Sequence, residues 1–112
     1  MGQSNPPFMT GVPELLVLRL LAEREMYGYE LARRIRLVTD DVIRLGEGVI
    51  YPALHGLEAA GALKARRKTV NGRTRVYYRL TSKGRRRLER LLADWERVST
   101  GVEAVLEEPA GA

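Results

Sequence analysis

The 112 residues include no cysteine, which excludes disulfides, thiolate metal sites and thiol nucleophiles. One histidine, no recognisable cluster of carboxylates and no glycine-rich phosphate loop leave little equipment for catalysis. We therefore expect no enzymatic activity, no metal and no cofactor. No apolar run approaches the ~20 residues needed to span a bilayer, and the N-terminus lacks the form of a signal peptide. The sequence thus predicts a cytoplasmic protein with no membrane partner.

Basic side chains are concentrated in one part of the chain, although the formal net charge is only +5. From Lys64 to Arg90, twelve Lys or Arg residues stand against one acid, Glu89, whereas the remaining residues include seven basic and thirteen acidic groups. Charge sorted in this way is typical of a surface that approaches nucleic acid or an anionic membrane, and a solvated basic face is the simpler alternative. An amphipathic membrane helix fits poorly, because much of the basic density falls in a predicted hairpin.

The predicted hairpin is centred on Asn71 and Gly72, between flanks in which apolar and polar residues alternate. This pair is a strong hairpin signal, because both turn residues must accept a positive φ. We expect strands at residues 63–69 and 73–80. In the second strand one face carries Arg73, Arg75, Tyr77 and Arg79, and the other carries Thr74, Val76, Tyr78 and Leu80. The first of these faces suits a polyanion or water, and the second can pack on a core.

Two helices are predicted near the start of the chain. Pro13 suits the first turn of a leucine-rich, mostly buried helix that we expect to run to about Arg24. A second helix is expected from about Tyr27 to Val38, with apolar residues at helical spacing.

The third predicted helix begins at Glu47 or Gly48 and ends at Gly61, a good terminating glycine. Pro52 is expected in its first turn, where the backbone amide is not needed. Its buried stripe is predicted to be Ile50, Leu54 and Leu57. The opposite, exposed face is predicted to carry Tyr51, His55 and Glu58.

A long last helix is expected after a cap at Thr81 or Ser82. Its apolar residues alternate by three and four positions, as in a heptad seam, and we expect them to form a dimer interface: Leu88, Leu91, Leu92, Trp95, Val98, Val102 and Val105. A single amphipathic helix lying on its own domain is the alternative. Gly101 marks either a bend or the end of the regular helix, because glycine inside a helix costs ~1 kcal/mol relative to alanine.

Three helices followed by a basic hairpin predict a winged helix-turn-helix, in a mainly α chain with a small antiparallel β-hairpin and a long C-terminal dimerisation helix. In such a domain the third helix fits the major groove of DNA, and the wing reaches a minor groove or phosphates. We expect a flexible segment over residues 1–11, the winged helix over 12–81, the dimerisation helix over 82–108 and a tail over 109–112. Met9 is an alternative start to Met1. A protein–protein or RNA-binding module without a ligand stays open as another function.

The chain resembles the PadR family of bacterial transcriptional regulators in three segments: EMYGYELARRI, GEGVIYPALHGLEAAGAL and RVYYRLTSKGRRRL. The likeness covers roughly residues 12–106. The family's Gly-Tyr-Glu-Leu sequence stands at residues 28–31. Its recognition-helix pattern is matched by Gly48, Tyr51, Pro52, Leu54, Leu57, Glu58 and Gly61, and its wing pattern by Tyr77, Tyr78, Arg79, Leu80, Thr81 and Gly84. The chain is most similar to the compact members with one C-terminal helix, which implies a dimeric repressor.

The resemblance implies that the recognition helix and the wing bind double-stranded operator DNA. The candidate DNA-binding residues are Val49, Tyr51, His55, Lys64, Arg66, Arg73, Arg75, Tyr77 and Arg79. A structural role, closing the helix onto its neighbours, is the alternative for Tyr51. In the recognition helix, many relatives have a threonine and pairs of basic residues. Here those positions hold Val49, His55 and Gly56, and the helix contains no Lys or Arg. We therefore expect the wing and the start of the last helix to supply most of the attraction to phosphates.

The resemblance also implies an effector site. In compact relatives, the last helices of two subunits cross beside the first helices and enclose a cavity, in which flat aromatic molecules stack on a tryptophan of each chain. Trp95 stands at the matching position, so Trp95, Leu92 and Ser99 are the effector-binding candidates. Dimer core is the commoner role for such a tryptophan. A carboxylate one turn after the tryptophan would favour a cationic ligand, but in this chain that position holds Ser99. The implied function is a repressor that a small planar aromatic effector releases from DNA.

Overall fold

The computed structural model describes residues 11–109. In chain order they form α1 (Val12–Leu21), β1 (Met26–Tyr27), α2 (Gly28–Val38), α3 (Glu47–Ala59), β2 (Leu63–Val70), β3 (Arg73–Leu80) and α4 (Ser82–Leu106). The alternative start at Met9 and nearly all of the expected flexible segment lie outside the described residues, as does most of the expected tail. Within residues 11–109, no helix is long and apolar enough to cross a membrane.

The first two helices follow the prediction closely. Pro13 lies in the first turn of α1, and α2 begins at Gly28. However, α1 ends at Leu21, three residues before the predicted Arg24. The chain must turn there because Met26 enters the core, where it is fully buried.

The third helix has the predicted buried stripe, and it ends as expected at a left-handed glycine. Gly61 has a φ of +80°, and its N–H donates to the Glu58 carbonyl at 2.9 Å. The N–H of Ala62 donates to the Leu57 carbonyl, also at 2.9 Å, which completes a Schellman ending. The helix starts at Glu47, within the predicted start, but the prediction for Pro52 was wrong. Pro52 is the sixth residue of the helix, so it lies beyond the first turn and removes one intrahelical hydrogen bond.

The predicted hairpin is confirmed, with a left-handed turn at both central residues. Asn71 has a φ of 51° and Gly72 a φ of 76°, as a type I′ turn requires. The register runs from Leu63 opposite Leu80 to Val70 opposite Arg73. The strand β1 was missed by sequence reasoning, because two residues are too few to show a periodicity. It pairs with β3, so the sheet order is β1-β3-β2 and β3 is the central strand.

The core lies where α1, α2, α3, the sheet and the first half of α4 meet. Its fully buried members come from several elements: Val17, Leu18, Met26, Leu31 and Leu54. Tyr78 is buried, as the alternation of β3 predicted, and burial raises the pKa of its hydroxyl. Within the described residues, the buried side chains form one hydrophobic cluster, and the wing and the first half of α4 pack against it.

The last helix begins at the predicted cap and extends well beyond the core. The Thr81 hydroxyl accepts from the Gly84 N–H at 3.0 Å and donates to the Gly61 carbonyl at 2.7 Å. The helix passes without interruption through Gly101 to Leu106. Its projecting end makes the described residues elongated, with extents of 63 × 37 × 20 Å.

Candidate nucleic-acid interface

One face of the β2–β3 hairpin is lined with basic side chains. The register places Lys64 opposite Arg79, and Lys68 opposite Arg75. Because residues directly opposite each other in a sheet point to the same side, the two strands share one basic surface. We call it the wing face; it comprises Lys64, Arg66, Lys68, Arg73, Arg75, Tyr77 and Arg79. Lys68 was not among the predicted site residues, although the alternation of Lys64 and Arg66 extends to it.

Two tyrosines hold part of the wing face in place. Tyr27, on β1, meets Tyr77 edge to face, with ring centroids 5.3 Å apart. The guanidinium carbon of Arg75 lies 4.6 Å from the Tyr27 ring centroid, and the ammonium of Lys68 lies 4.5 Å from that of Tyr77. Such cation–π contacts favour an ordered side chain. Sequence reasoning missed Tyr27, because only the pairing of β1 with β3 brings it to the wing.

An acidic residue, Glu25, also lies at the wing face. Its carboxylate accepts from Arg66 through both Nε, at 2.9 Å, and Nη2, and from the Lys68 ammonium at 3.1 Å. These hydrogen bonds, that from Arg66 above all, lower the pKa of Glu25 to about 2. The same carboxylate raises the pKa of Arg66. Arg66, a predicted DNA contact, is therefore already paired within the chain.

The other predicted cations of the wing face carry no such partner. Within residues 11–109, the ion pairs do not involve Lys64, Arg73, Arg75 or Arg79. Their positive charge is not compensated by a neighbouring carboxylate. An anion that approached the wing could therefore bind them without displacing a protein group.

A cleft of about 330 Å³ separates the wing from the helix-turn-helix. Its wing side is formed by Arg73, Thr74, Arg75 and Val76. Its other side is formed by the end of β1, by the start of α2 and by α3, with Tyr27, Gly28, Tyr29 and Tyr51. Arginine and tyrosine are hydrogen-bond donors that suit phosphate oxygens. The cleft thus brings residues from the wing and the recognition helix to one place.

The helix α3, which corresponds to the predicted recognition helix, presents a mixed surface. Val49 and His55 are exposed, as expected of residues that reach a partner. Tyr51 was predicted on the exposed face, but it is half-buried against the start of α2. A Cβ at Gly28 would lie only 2.7 Å from Cε1 of Tyr51, so this close approach requires glycine. Tyr51 therefore closes α3 onto α2.

The predicted seam of α4 is divided between the core and solvent. Leu88 is only 5% exposed in the single chain, and Leu91 and Leu92 pack against the same core. Leu88 therefore has almost no surface to offer a partner helix, because its own domain covers it. Beyond this point the seam is open: Trp95 is 50% exposed, and the exposed apolar residues continue with Val98, Val102 and Val105. Of the effector candidates, Leu92 and Ser99 are half-buried and Trp95 is exposed.

Within the part of the chain that the structure describes, no group of three His, Asp or Glu residues could hold a metal ion.

Comparison with known proteins identifies relatives along most of the chain. Residues 17–90 match the Transcriptional regulator PadR-like family. The transcriptional regulator Rv3488 of Mycobacterium tuberculosis is 35% identical over 78 residues, which cover 70% of each chain. An uncharacterised protein of Lysinibacillus sphaericus is 31% identical over 93 residues, 82% of this chain and 85% of the relative.

Solved structures share the fold. A transcriptional regulator from Clostridium thermocellum has a TM-score of 0.83 and 28% identity, over 88% of this chain and 97% of the other. A PadR-like transcriptional regulator from Bacillus cereus has a TM-score of 0.79 and 30% identity, over 93% and 100% of the two chains. Members of this family are transcriptional regulators and not enzymes, in line with the lack of catalytic motifs. With its four helices, small antiparallel sheet and wing, the chain belongs to the PadR-like family of transcriptional regulators.

Proposed function

We propose that the protein binds double-stranded operator DNA as a homodimer and represses transcription. The observation that carries the proposal is the wing face, where Lys64, Arg73, Arg75 and Arg79 are unpaired within the described residues and adjoin the helix-turn-helix. Basic side chains gain free energy on DNA because they release condensed counterions. The cleft between wing and α3 adds donors from both sides. Membership of a family of transcriptional regulators supports the same conclusion.

The recognition helix would read bases with few charged contacts. Val49 is 37% exposed near the N-terminus of α3, where an apolar side chain suits the methyl group of thymine. His55 is exposed one turn after Tyr51, and its ring can donate or accept one hydrogen bond at a base edge or a phosphate. In this arrangement α3 supplies sequence preference and the wing supplies most of the electrostatic affinity.

Dimerisation is proposed through the open part of the α4 seam. Its apolar residues follow one another at intervals of about one helical turn and stay exposed in a single chain: Trp95, Val98, Val102 and Val105. A contiguous apolar strip of this kind marks an interaction surface, and a heptad spacing suits a second α4. Leu91 and Leu92 would lie at the start of the interface, whereas Leu88 belongs to the core of its own subunit.

An effector is proposed to bind where the two subunits meet. Trp95, half-exposed in the single chain, offers a flat apolar surface on which a planar aromatic molecule could stack. Leu92 and Ser99 lie one turn before and after it on the same side of α4. Binding there would change the angle between the two DNA-binding heads and weaken their fit to both half-sites. By linkage, DNA would weaken effector binding by the same factor.

The effector proposal is tested with planar aromatic compounds, neutral and cationic, and the fluorescence of the only tryptophan. We expect quenching in the wild type and release of bound DNA by the same compounds. A Trp95→Ala dimer that still releases DNA in response to them would contradict the proposal.

The DNA proposal is tested by fluorescence anisotropy with duplex DNA from upstream of the protein's own gene. A scrambled duplex is the control, single-stranded RNA is a second one, and each titration is repeated across salt concentrations. We expect preference for the native duplex, saturation at one dimer per site and a steep loss of affinity with salt. Equal binding to both duplexes, or to RNA, would favour a basic module with another partner.

The wing is tested by Arg73→Gln, with Arg19→Gln as a matched control. Arg73 is unpaired and lines the cleft, whereas Arg19 lies on α1 and is paired with Glu23. We expect Arg73→Gln to weaken binding to both duplexes by roughly 5-fold and to reduce the salt slope by about 1 per subunit. Equal effects of the two substitutions would show that only net charge matters.

A further inference from the structure

Glu25 makes the wing face less basic than its sequence suggests. The residue directly precedes β1, and it is the acid that pairs with β2 in the described part of the chain. The Glu25 side chain is 24% exposed, and its partners are more open, with Arg66 at 57% and Lys68 at 42%. The cluster therefore lies at the surface that DNA would approach.

The carboxylate occupies the part of Arg66 that a phosphate would use. Arginine binds phosphate most strongly in a bidentate manner, through two N–H groups on one edge of the guanidinium. In Arg66 the edge formed by Nε and Nη2 already donates to Glu25. The ammonium of Lys68 donates to the same carboxylate at 3.1 Å. DNA must displace Glu25 before it can bind this edge of Arg66.

We propose that Glu25 is an internal competitor for DNA phosphate, which holds Arg66 and Lys68 and thereby limits the affinity of the wing for DNA. This inference rests on the proposed DNA-binding function. Because phosphate contacts carry no sequence information, Glu25 lowers the affinity for every duplex alike. Less of the protein is then held on DNA of any sequence, and the preference for the operator still comes from the base contacts of α3.

The charge of Glu25 supports this role under ordinary conditions. With its pKa lowered to about 2, the carboxylate remains ionised at neutral pH and keeps competing. The same geometry has a converse interpretation, in which the carboxylate holds Arg66 and Lys68 in a position that favours DNA binding. The two interpretations differ in sign, because removing the carboxylate raises the affinity in the first and lowers it in the second.

The test is the binding of Glu25→Gln to the native and scrambled duplexes by anisotropy across salt concentrations. We expect roughly 10-fold tighter binding to both duplexes at about 0.15 M salt, and a salt slope steeper by about 1 to 2 per subunit. Glu23→Gln is the matched control, since it removes the same charge two residues away, where the partner is Arg19 on α1. We expect this control to bind within about twofold of the wild type.

Two further comparisons test whether the effect depends on this cluster. In an Arg66→Gln, Lys68→Gln background, Glu25→Gln should no longer tighten binding, because the cations that it releases are gone. Glu25→Asp, whose shorter side chain cannot hold both cations, should bind between the wild type and Glu25→Gln. It also keeps the test valid if Glu25→Gln does not fold, which circular dichroism would show.

The outcomes separate this inference from the proposed function. A wild type that does not bind duplex DNA would overturn both. Salt-sensitive binding by the wild type, with Glu25→Gln equal to Glu23→Gln, would overturn the competitor role and leave the proposed function standing. Weaker binding by Glu25→Gln would also overturn it, and would show that the carboxylate positions the wing cations for DNA.

Discussion

At Gly84, the first turn of α4 passes so close to Ala62, in the turn between α3 and β2, that no side chain fits. A Cβ at this residue would lie 2.1 Å from the Ala62 carbonyl oxygen and 2.8 Å from Cδ1 of Leu80. Since the nearest atom belongs to the backbone, the clash cannot be relieved by a side-chain rotation. The glycine therefore fixes how α4 leaves the domain.

We expect Gly84→Ala to lower the free energy of unfolding by about 3 kcal/mol or more, through overpacking at a buried position. Gly101→Ala in the same helix is the control, because a Cβ there meets nothing within 4 Å. It should raise the stability by about 1 kcal/mol. Urea unfolding at one fixed protein concentration measures both. A Gly84→Ala protein as stable as the wild type would contradict the close approach.

The ionisation of Glu25 makes the free energy of unfolding depend on pH. Its pKa is lowered from 4.5 to about 2 by hydrogen bonds from Arg66 and Lys68, so folding favours the ionised form. The stabilisation is fully present above about pH 5 and is lost as pH falls from 4.5 towards 2. We expect the difference in unfolding midpoint between wild type and Glu25→Gln to shrink in this range. A difference that is the same at pH 7 and pH 2 would contradict the assignment.

Among the elements, the last helix begins at a hydroxyl that both caps it and holds the preceding turn. Thr81 accepts from the Gly84 N–H and donates to the Gly61 carbonyl, so it joins the start of α4 to the end of α3. We expect Thr81→Ala to lower the free energy of unfolding by about 1 to 2 kcal/mol, as for the loss of a helix cap. Thr81→Ser keeps the hydroxyl and should lose much less. Thermal unfolding compares the two, and equal losses would show that the methyl group matters instead.

Elements with a strong local signal were predictable from the sequence. The hairpin followed from Asn71 and Gly72, because their backbone conformation is set by the turn itself. The end of α3 followed from Gly61, and the cap of α4 from Thr81. In contrast, β1 is only two residues long and exists because β3 lies beside it. The end of α1 was placed too late, because the turn before Met26 is set by the core.

For the molecule as a whole, shape and apolar surface point to a partner. The described residues have a radius of gyration of 16.2 Å, whereas a compact chain of about 100 residues has ~13 Å. The excess comes from α4, whose second half extends beyond the core with its apolar residues exposed. A second subunit would cover this surface.

We expect Val98→Glu to dissociate the proposed dimer, because a carboxylate would be buried in its interface without a partner. The dissociation constant should rise by at least about 100-fold, as measured by sedimentation equilibrium. Thr100→Glu is the control, since Thr100 is exposed and lies away from the seam in the heptad. A wild type that remains monomeric at all concentrations would contradict the proposed assembly.

The amino-acid sequence was sufficient for the winged helix, for the position of the hairpin turn and for the basic character of the wing. These features depend on periodicity, turn residues and composition, which act within a few neighbouring positions. The pairing of Glu25 with Arg66, the contact of Tyr27 with Tyr77 and the burial of Leu88 depended on packing between distant parts of the chain. No local sequence pattern indicates these contacts, because they depend on how β1, the wing and α4 pack on a common core.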